Sequence, residues 1–196
     1  MKISFLASHG GSSARAIMKA IAAGELNAEA GIVITNNQDS AIHQWCVDNH
    51  VPVFHISSLT HPQPGAADNA IVHTLKQANT DIVVCSGYMK KIGPDTLAGY
   101  AGRILNIHPA LLPAHGGSAM YGDRVHAAVL KAGESESGAS VHIVDENYDE
   151  GPVIGQSRVE VTPQDTLETL RQKVQATEPG LYIDCLKRFL AGHSSQ

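Results

Sequence analysis

Apolar and polar positions along the chain sort it into two kinds of segment. Short apolar runs at 2–7, 31–35, 51–56, 81–86, 104–108, 140–144 and 152–161 have the length of strands and are bounded by turn residues. Between them, apolar residues recur at helical spacing over 14–23, 40–49, 66–77, 94–100, 125–132 and 166–189. Gly24 is placed to cap the first of these helices at its C-terminus, and Pro179 predicts a bend in the last. Strand and helix alternate through the first four units, which implies parallel pairing. The pattern therefore predicts an α/β chain whose mostly parallel, twisted sheet is flanked by helices.

Composition narrows this further. The 196 residues suit one sizeable domain, and no linker or repeat divides them. With 43% hydrophobic and 17% charged residues, the chain reads as globular, and a net charge of -5 argues against a nucleic-acid-binding surface. No apolar run approaches the roughly 20 residues needed to cross a bilayer. Met1 and Lys2 lead straight into a strand pattern instead of a signal peptide, so the expected location is the cytoplasm. Cys46, Cys85 and Cys185 are odd in number and far apart, as reduced core thiols would be. None of the eleven histidines falls in a zinc-binding spacing, and no metal is expected.

Candidate chemistry gathers at the end of the 104–108 run. Asn106 and His108 are two residues apart in a strand that Pro109 ends, so they share a face and can converge on one small substrate. An amide that donates hydrogen bonds beside an imidazole that moves a proton is suited to attack on a carbonyl. A second candidate lies where the 2–7 strand turns into a helix through Ser8, His9, Gly10, Gly11, Ser12 and Ser13. Glycines there let backbone N–H groups approach an anion, which the helix N-terminus favours. This loop matches neither a Walker loop nor Gly-x-Gly-x-x-Gly. Ligands of open α/β sheets bind beyond the C-terminal ends of strands. The Ser8 turn, the turn at Gly87, Tyr88, Met89 and Lys90, and the Asn106/His108 strand end are therefore expected to lie together. The Gly-rich stretch 111–124, with His115, Tyr121 and Asp123, is expected to form a substrate wall or lid.

Three motifs in order resemble the phosphoribosylglycinamide formyltransferase family: Leu105, Asn106, Ile107, His108 and Pro109 through Pro113; Gly138, Ser140, Val141 and His142; and Asp149, Glu150, Gly151, Pro152, Val153 and Ile154. The likeness covers nearly the whole chain. It implies a Rossmann-like, nucleotide- and phosphate-binding half at about 1–100 and a catalytic, folate-binding half at about 101–196. The implied reaction moves a formyl group from 10-formyltetrahydrofolate to the amine of glycinamide ribonucleotide, in purine biosynthesis, with no metal. Carried over by position, Asn106, His108 and Asp149 match the family's catalytic residues. Gly10, Gly11, Ser12, Ser13, Gly87, Met89, Gln175 and Glu178 match its acceptor site. The folate side is expected at Met89, Lys90, Lys91, Ile92, Asn106, Val144, Asp145 and Asp149, where apolar strand ends beside turn backbone suit a flat pterin ring. The expected partners are small molecules only, to a monomer or homodimer.

Ser13 and Lys90 depart from the family's usual Asn and Arg. A hydroxyl at 13 still offers a helix cap and a donor to phosphate, and Lys supplies a point charge in place of a planar fork. Ser118 to Arg124 is longer than in many members. The alternatives are a relative that formylates another amine, such as an amino sugar, and a formyltetrahydrofolate hydrolase.

Overall fold

The computed structural model describes residues 1–193. Contacts between backbone positions divide the chain into two compact units, Met1–Leu105 and Asn106–Gln196.

In the first unit, β1 (Lys2–Ala7) pairs in parallel with β2 (Glu29–Thr35) and with β4 (Ile82–Ser86), and β2 pairs in parallel with β3 (Val53–His55). The strand order is β3-β2-β1-β4. Helices α1 (Ser12–Ala22), α2 (Ala41–Asp48), α3 (Ala66–Gln77) and α4 (Pro94–Gly99) fill the connections. Ile3, Phe5 and Leu6 in β1 are fully buried together with Ile17, Ile34, Ile42, Leu75 and Ile82, the continuous apolar reading expected of strands covered by helices. The buried Ser4 hydroxyl is satisfied by Thr80 Oγ1 at 2.7 Å and by the Ile32 N–H at 3.2 Å. Ser40 caps α2 by accepting the His43 N–H. Asp68 accepts the Asp95 N–H at 2.8 Å and the Thr96 N–H at 3.2 Å, so one side chain of α3 holds the start of α4.

β5 (Ile104–His108) begins in the first unit and ends in the second, where the order is β5-β6-β7. β6 (Glu136–Ile143) and β7 (Val153–Glu160) are antiparallel. α5 (Asp123–Ala132) precedes β6, and α6 (Leu167–His193) packs on β6, β7 and α5. Val129, Ala139, Leu170 and Val174 form the buried cluster between these elements. Among the described residues no helix is long and apolar enough to cross a membrane.

The class is the one that the pattern predicts, α/β with mostly parallel strands and flanking helices. The differences lie at element ends. β6 starts at Glu136 instead of 140, because its first residues pair with the end of β7, Glu136 opposite Glu160, and are not apolar. β3 shrinks to three residues against the expected 51–56. α6 carries Pro179 inside a helix that continues to His193, beyond the expected end at 189.

Candidate active site

Asn106 and His108 do share a face of β5, and the second unit brings Asp149 to them. The Oδ2 atom of Asp149 lies 3.4 Å from His108 Nδ1, and its Oδ1 atom lies 3.4 Å from His142 Nε2. His142 Nε2 in turn stands 3.1 Å from Asn106 Nδ2. His108 and His142 are buried, so their ring nitrogens need partners within the protein, and Asn106 is half-buried.

The turn after β5 is held by side chains from the next two strands. Ser140 Oγ donates to the Ala110 carbonyl at 2.6 Å and accepts the Leu112 N–H at 3.0 Å, and Gln156 Nε2 donates to the Leu112 carbonyl at 3.0 Å. Asp149 sits in the loop between β6 and β7, whose base is closed by the Ile143 N–H to the Pro152 carbonyl at 2.9 Å. Its backbone is left-handed, with φ at 59°, a conformation that Asp tolerates better than most residues. The Gly117 N–H donates to Asp149 Oδ2 at 3.1 Å.

Hydrogen-bond chemistry fixes the tautomers of both rings. A carbonyl only accepts, so the His108 Nε2 that lies 2.8 Å from the His115 carbonyl carries a proton. In the neutral ring His108 Nδ1 is then a bare base facing Asp149. His142 Nδ1 lies 3.2 Å from the Ile143 carbonyl and carries a proton for the same reason, and in the neutral form of that ring Nε2 accepts from the Asn106 amide. Burial pushes the His108 pKa down, and the Asp149 carboxylate, pulling the other way, does not overcome it. Burial would push Asp149 up, but the combined pull of His142, His108 and the Gly117 N–H outweighs it and holds the carboxyl below its ordinary value. The resting pair is therefore a neutral imidazole beside a carboxylate.

A cavity of about 490 Å³ is lined by Leu112, Pro113, Gly117, Tyr148, Asp149 and Pro152 among others, and gives Asp149 an open side. Of the other expected folate-side residues in this unit, Val144 is half-buried and Asp145 exposed, its Oδ1 accepting the Asn147 N–H at 2.9 Å. Gln175 is exposed on α6, and Glu178 is half-buried, with burial pushing its carboxyl up to about 7. No hydrogen bond or ion pair among the described residues joins these two to the Asp149 cluster.

In the first unit the β1 and β4 ends meet as expected. The Met89 N–H donates to Ser8 Oγ at 2.8 Å, and the Ser8 N–H donates to the Gly87 carbonyl at 3.3 Å. Gly11 is the N-cap of α1 in a left-handed conformation, φ 57°, without a side-chain cap. A Cβ there would lie 2.7 Å from Ile42 Cδ1, so the turn needs glycine for both space and φ. Gly10 is half-buried and Ser12 exposed. The expected cap from Ser13 is not made. Ser13 falls inside the first turn of α1 and is 1% exposed, which removes its hydroxyl from the capping position. Gly87 has φ at 64°, Met89, Lys90 and Lys91 are exposed, and Ile92 is half-buried.

The sequence reading missed four contributors: His142, Ser140, the His115 carbonyl and the Gly117 N–H. His142 lay in a quoted motif without a role. Its signal was the alternation of β6, which puts Ser140 and His142 on one face of the strand. The backbone groups leave no residue-type signal. Among the described residues no group of three or more His, Cys, Asp or Glu is arranged to hold a metal ion.

Comparison with known proteins agrees with this architecture. The family described as formyl transferase matches residues 1–186. The phosphoribosylglycinamide formyltransferase of Bacillus subtilis is 31% identical over 96% of this chain and 94% of its own length. The chloroplastic enzyme of that name from Arabidopsis thaliana is 36% identical over 93% of this chain, which spans only 63% of that relative. The crystal structure of glycinamide ribonucleotide transformylase 1 from Symbiobacterium toebii superposes with a TM-score of 0.91 at 31% identity, covering 98% of this chain and 88% of that one. Matched over all but its last residues, and over nearly the full length of a relative, the chain belongs to the formyl transferase family.

Proposed function

We propose that the chain transfers a formyl group from 10-formyltetrahydrofolate to the amine of glycinamide ribonucleotide, a step of purine biosynthesis. The observation that carries this reading is the convergence of an amide donor, a tautomer-fixed imidazole and a carboxylate held below its ordinary pKa. The names of the relatives give the acceptor and the reaction class.

In this reading Asn106 donates an N–H to the formyl oxygen as the amine attacks the formyl carbon and the C=O electron pair moves onto oxygen. His108, once protonated at Nδ1, is the second stabiliser of that charge. Asp149 supports the imidazolium and takes the proton that the amine loses, directly or through one water. Collapse of the tetrahedral carbon re-forms C=O and breaks the bond to the folate nitrogen, which leaves with a proton. Protons balance, one lost by the amine and one gained by the leaving nitrogen. The Gly10–Ser13 turn holds the acceptor's phosphate, and Gly87, Met89, Gln175 and Glu178 complete its site. Met89 to Ile92, Val144 and Asp145 hold the folate, with the cavity beside Asp149 as available room.

The test is tetrahydrofolate release from 10-formyltetrahydrofolate with and without glycinamide ribonucleotide. Release only with the acceptor is expected. Release without it would make the chain a hydrolase, and release only with an amino sugar would move the acceptor class.

A further inference from the structure

The formyl-transfer reading uses Asn106 as a donor, yet an asparagine amide turns freely about its last bond and presents either its oxygen or its nitrogen. Something must decide which. The atoms around Asn106 Nδ2 give the answer one residue further out, at His142, which the formyl-transfer reading does not use. His142 is 2% exposed, and its ring is held at both ends. Nδ1 donates to the Ile143 carbonyl at 3.2 Å, and Nε2 lies 3.1 Å from Asn106 Nδ2. The Ile143 carbonyl cannot donate, so whenever the ring holds one proton that proton sits on Nδ1. Nε2 then offers only a lone pair, and the Asn106 amide meets it with nitrogen.

We infer that His142 is a positioning residue, which takes one of the two amide protons of Asn106 and thereby aims the other at the developing oxyanion. Turning the amide over would set its oxygen against the bare Nε2, with the Asp149 carboxylate oxygen 3.4 Å from that same nitrogen. Three acceptors would then crowd one space without a proton among them. The nitrogen-inward orientation is thus enforced from the Ile143 backbone, through one ring, to the donor. A single Nδ1 proton on His142 sets the polarity of the whole chain.

The consequence for rate rests on the formyl-transfer reading, while the orientation does not, and the experiment separates them. Long-range proton–nitrogen NMR spectra of the ¹⁵N-labelled protein, without substrates, should show His142 as a neutral Nδ1–H tautomer. They should also show the Asn106 amide hydrogen-bonded to Nε2. A ring protonated on Nε2 alone would overturn the inference, whatever reaction the protein performs. For the rate, His142→Gln keeps an acceptor near the Nε2 position and His142→Leu removes it. His142→Leu should lose kcat on the order of 10²-fold, as misaimed groups do, with KM for both substrates nearly unchanged. His142→Gln should recover most of that loss. In an Asn106→Ala background the two substitutions should be equivalent, because no donor remains to aim. Equal impairment of both variants in the Asn106 background of the natural chain, at unchanged Tm, overturns the inference. If His142→Leu does not fold, His142→Gln compared with His142→Asn, which keeps only the Nδ1 end, makes the same distinction. A wild type that transfers no formyl group sinks the functional reading and leaves the NMR result to decide the orientation.

Discussion

Asp149 Oδ2 lies 3.4 Å from His108 Nδ1, the one nitrogen of that ring which the His115 carbonyl leaves without a proton. A base and a carboxylate at that separation share the next proton to arrive, and so they act as one group. Removing either should cost kcat on the order of 10²–10⁴-fold. The double variant His108→Ala, Asp149→Ala should be little worse than the poorer single one. Single-turnover rates on all three proteins check this, and additive losses would show that the two residues work independently. Asn106→Ala should lose on the order of 10²–10³-fold in kcat, as for a lost oxyanion donor.

The same burial that keeps His108 neutral makes the fold sensitive to acid. With the folded pKa below the ordinary 6.5, the neutral ring's contribution is fully present above pH 6.5 and is lost as pH falls through the folded value. His126, pushed down chiefly by its own burial, acts with the same sign. His108→Asn should therefore flatten the fall of Tm between pH 7.5 and 5. An unchanged slope in thermal melts across that range would remove His108 as a cause.

Glu178 works in the opposite direction. Burial raises it from 4.5 to about 7, so the protonated form's contribution is present below pH 4.5 and is lost progressively until pH passes about 7. Glu178→Gln should raise Tm relative to wild type at pH 8 and leave it near wild type at pH 4.5. The acceptor's KM should rise in this variant if Glu178 meets the acceptor. Thermal scans at the two pH values, paired with steady-state kinetics, separate the two effects.

Gly11 answers to two constraints at once, a φ of 57° and Ile42 Cδ1 2.7 Å from where a Cβ would stand. Gly11→Ala should cost about 1–3 kcal/mol in stability. It should also raise the acceptor's KM far more than the folate's, since the start of α1 must shift. Denaturant melts and the two KM values test this, and equal changes in both constants would remove the phosphate from this turn.

Gly151 stands where a Cβ would lie 1.8 Å from the Ile143 carbonyl. Gly151→Ala must push apart the base of the loop that carries Asp149, and the Ile143 carbonyl that it displaces also holds His142 Nδ1. Both Tm and kcat should fall. Gly117→Ala, with open space at the Cβ position but φ at 107°, should instead act through backbone strain on the N–H that donates to Asp149.

What the sequence determined by itself was set by local physics. Apolar runs and helical spacing placed the elements because burial is periodic in the chain, and α3 falls on 66–77 as read. The Asn106/His108 pair was legible because a strand puts residues two apart on one face. Element ends such as Glu136 were not, because that residue is exposed and is in β6 only through its ladder to β7. The tertiary structure alone decided that Asp149 has an imidazole on each oxygen, since His108 and His142 come from different strands. It also fixed the tautomers, because the deciding acceptors, the His115 and Ile143 carbonyls, are backbone atoms that every residue possesses. Ser13 shows the same division: its hydroxyl suits a cap in any sequence, but Gly11 with its left-handed φ takes the N-cap position and leaves Ser13 buried inside the first turn.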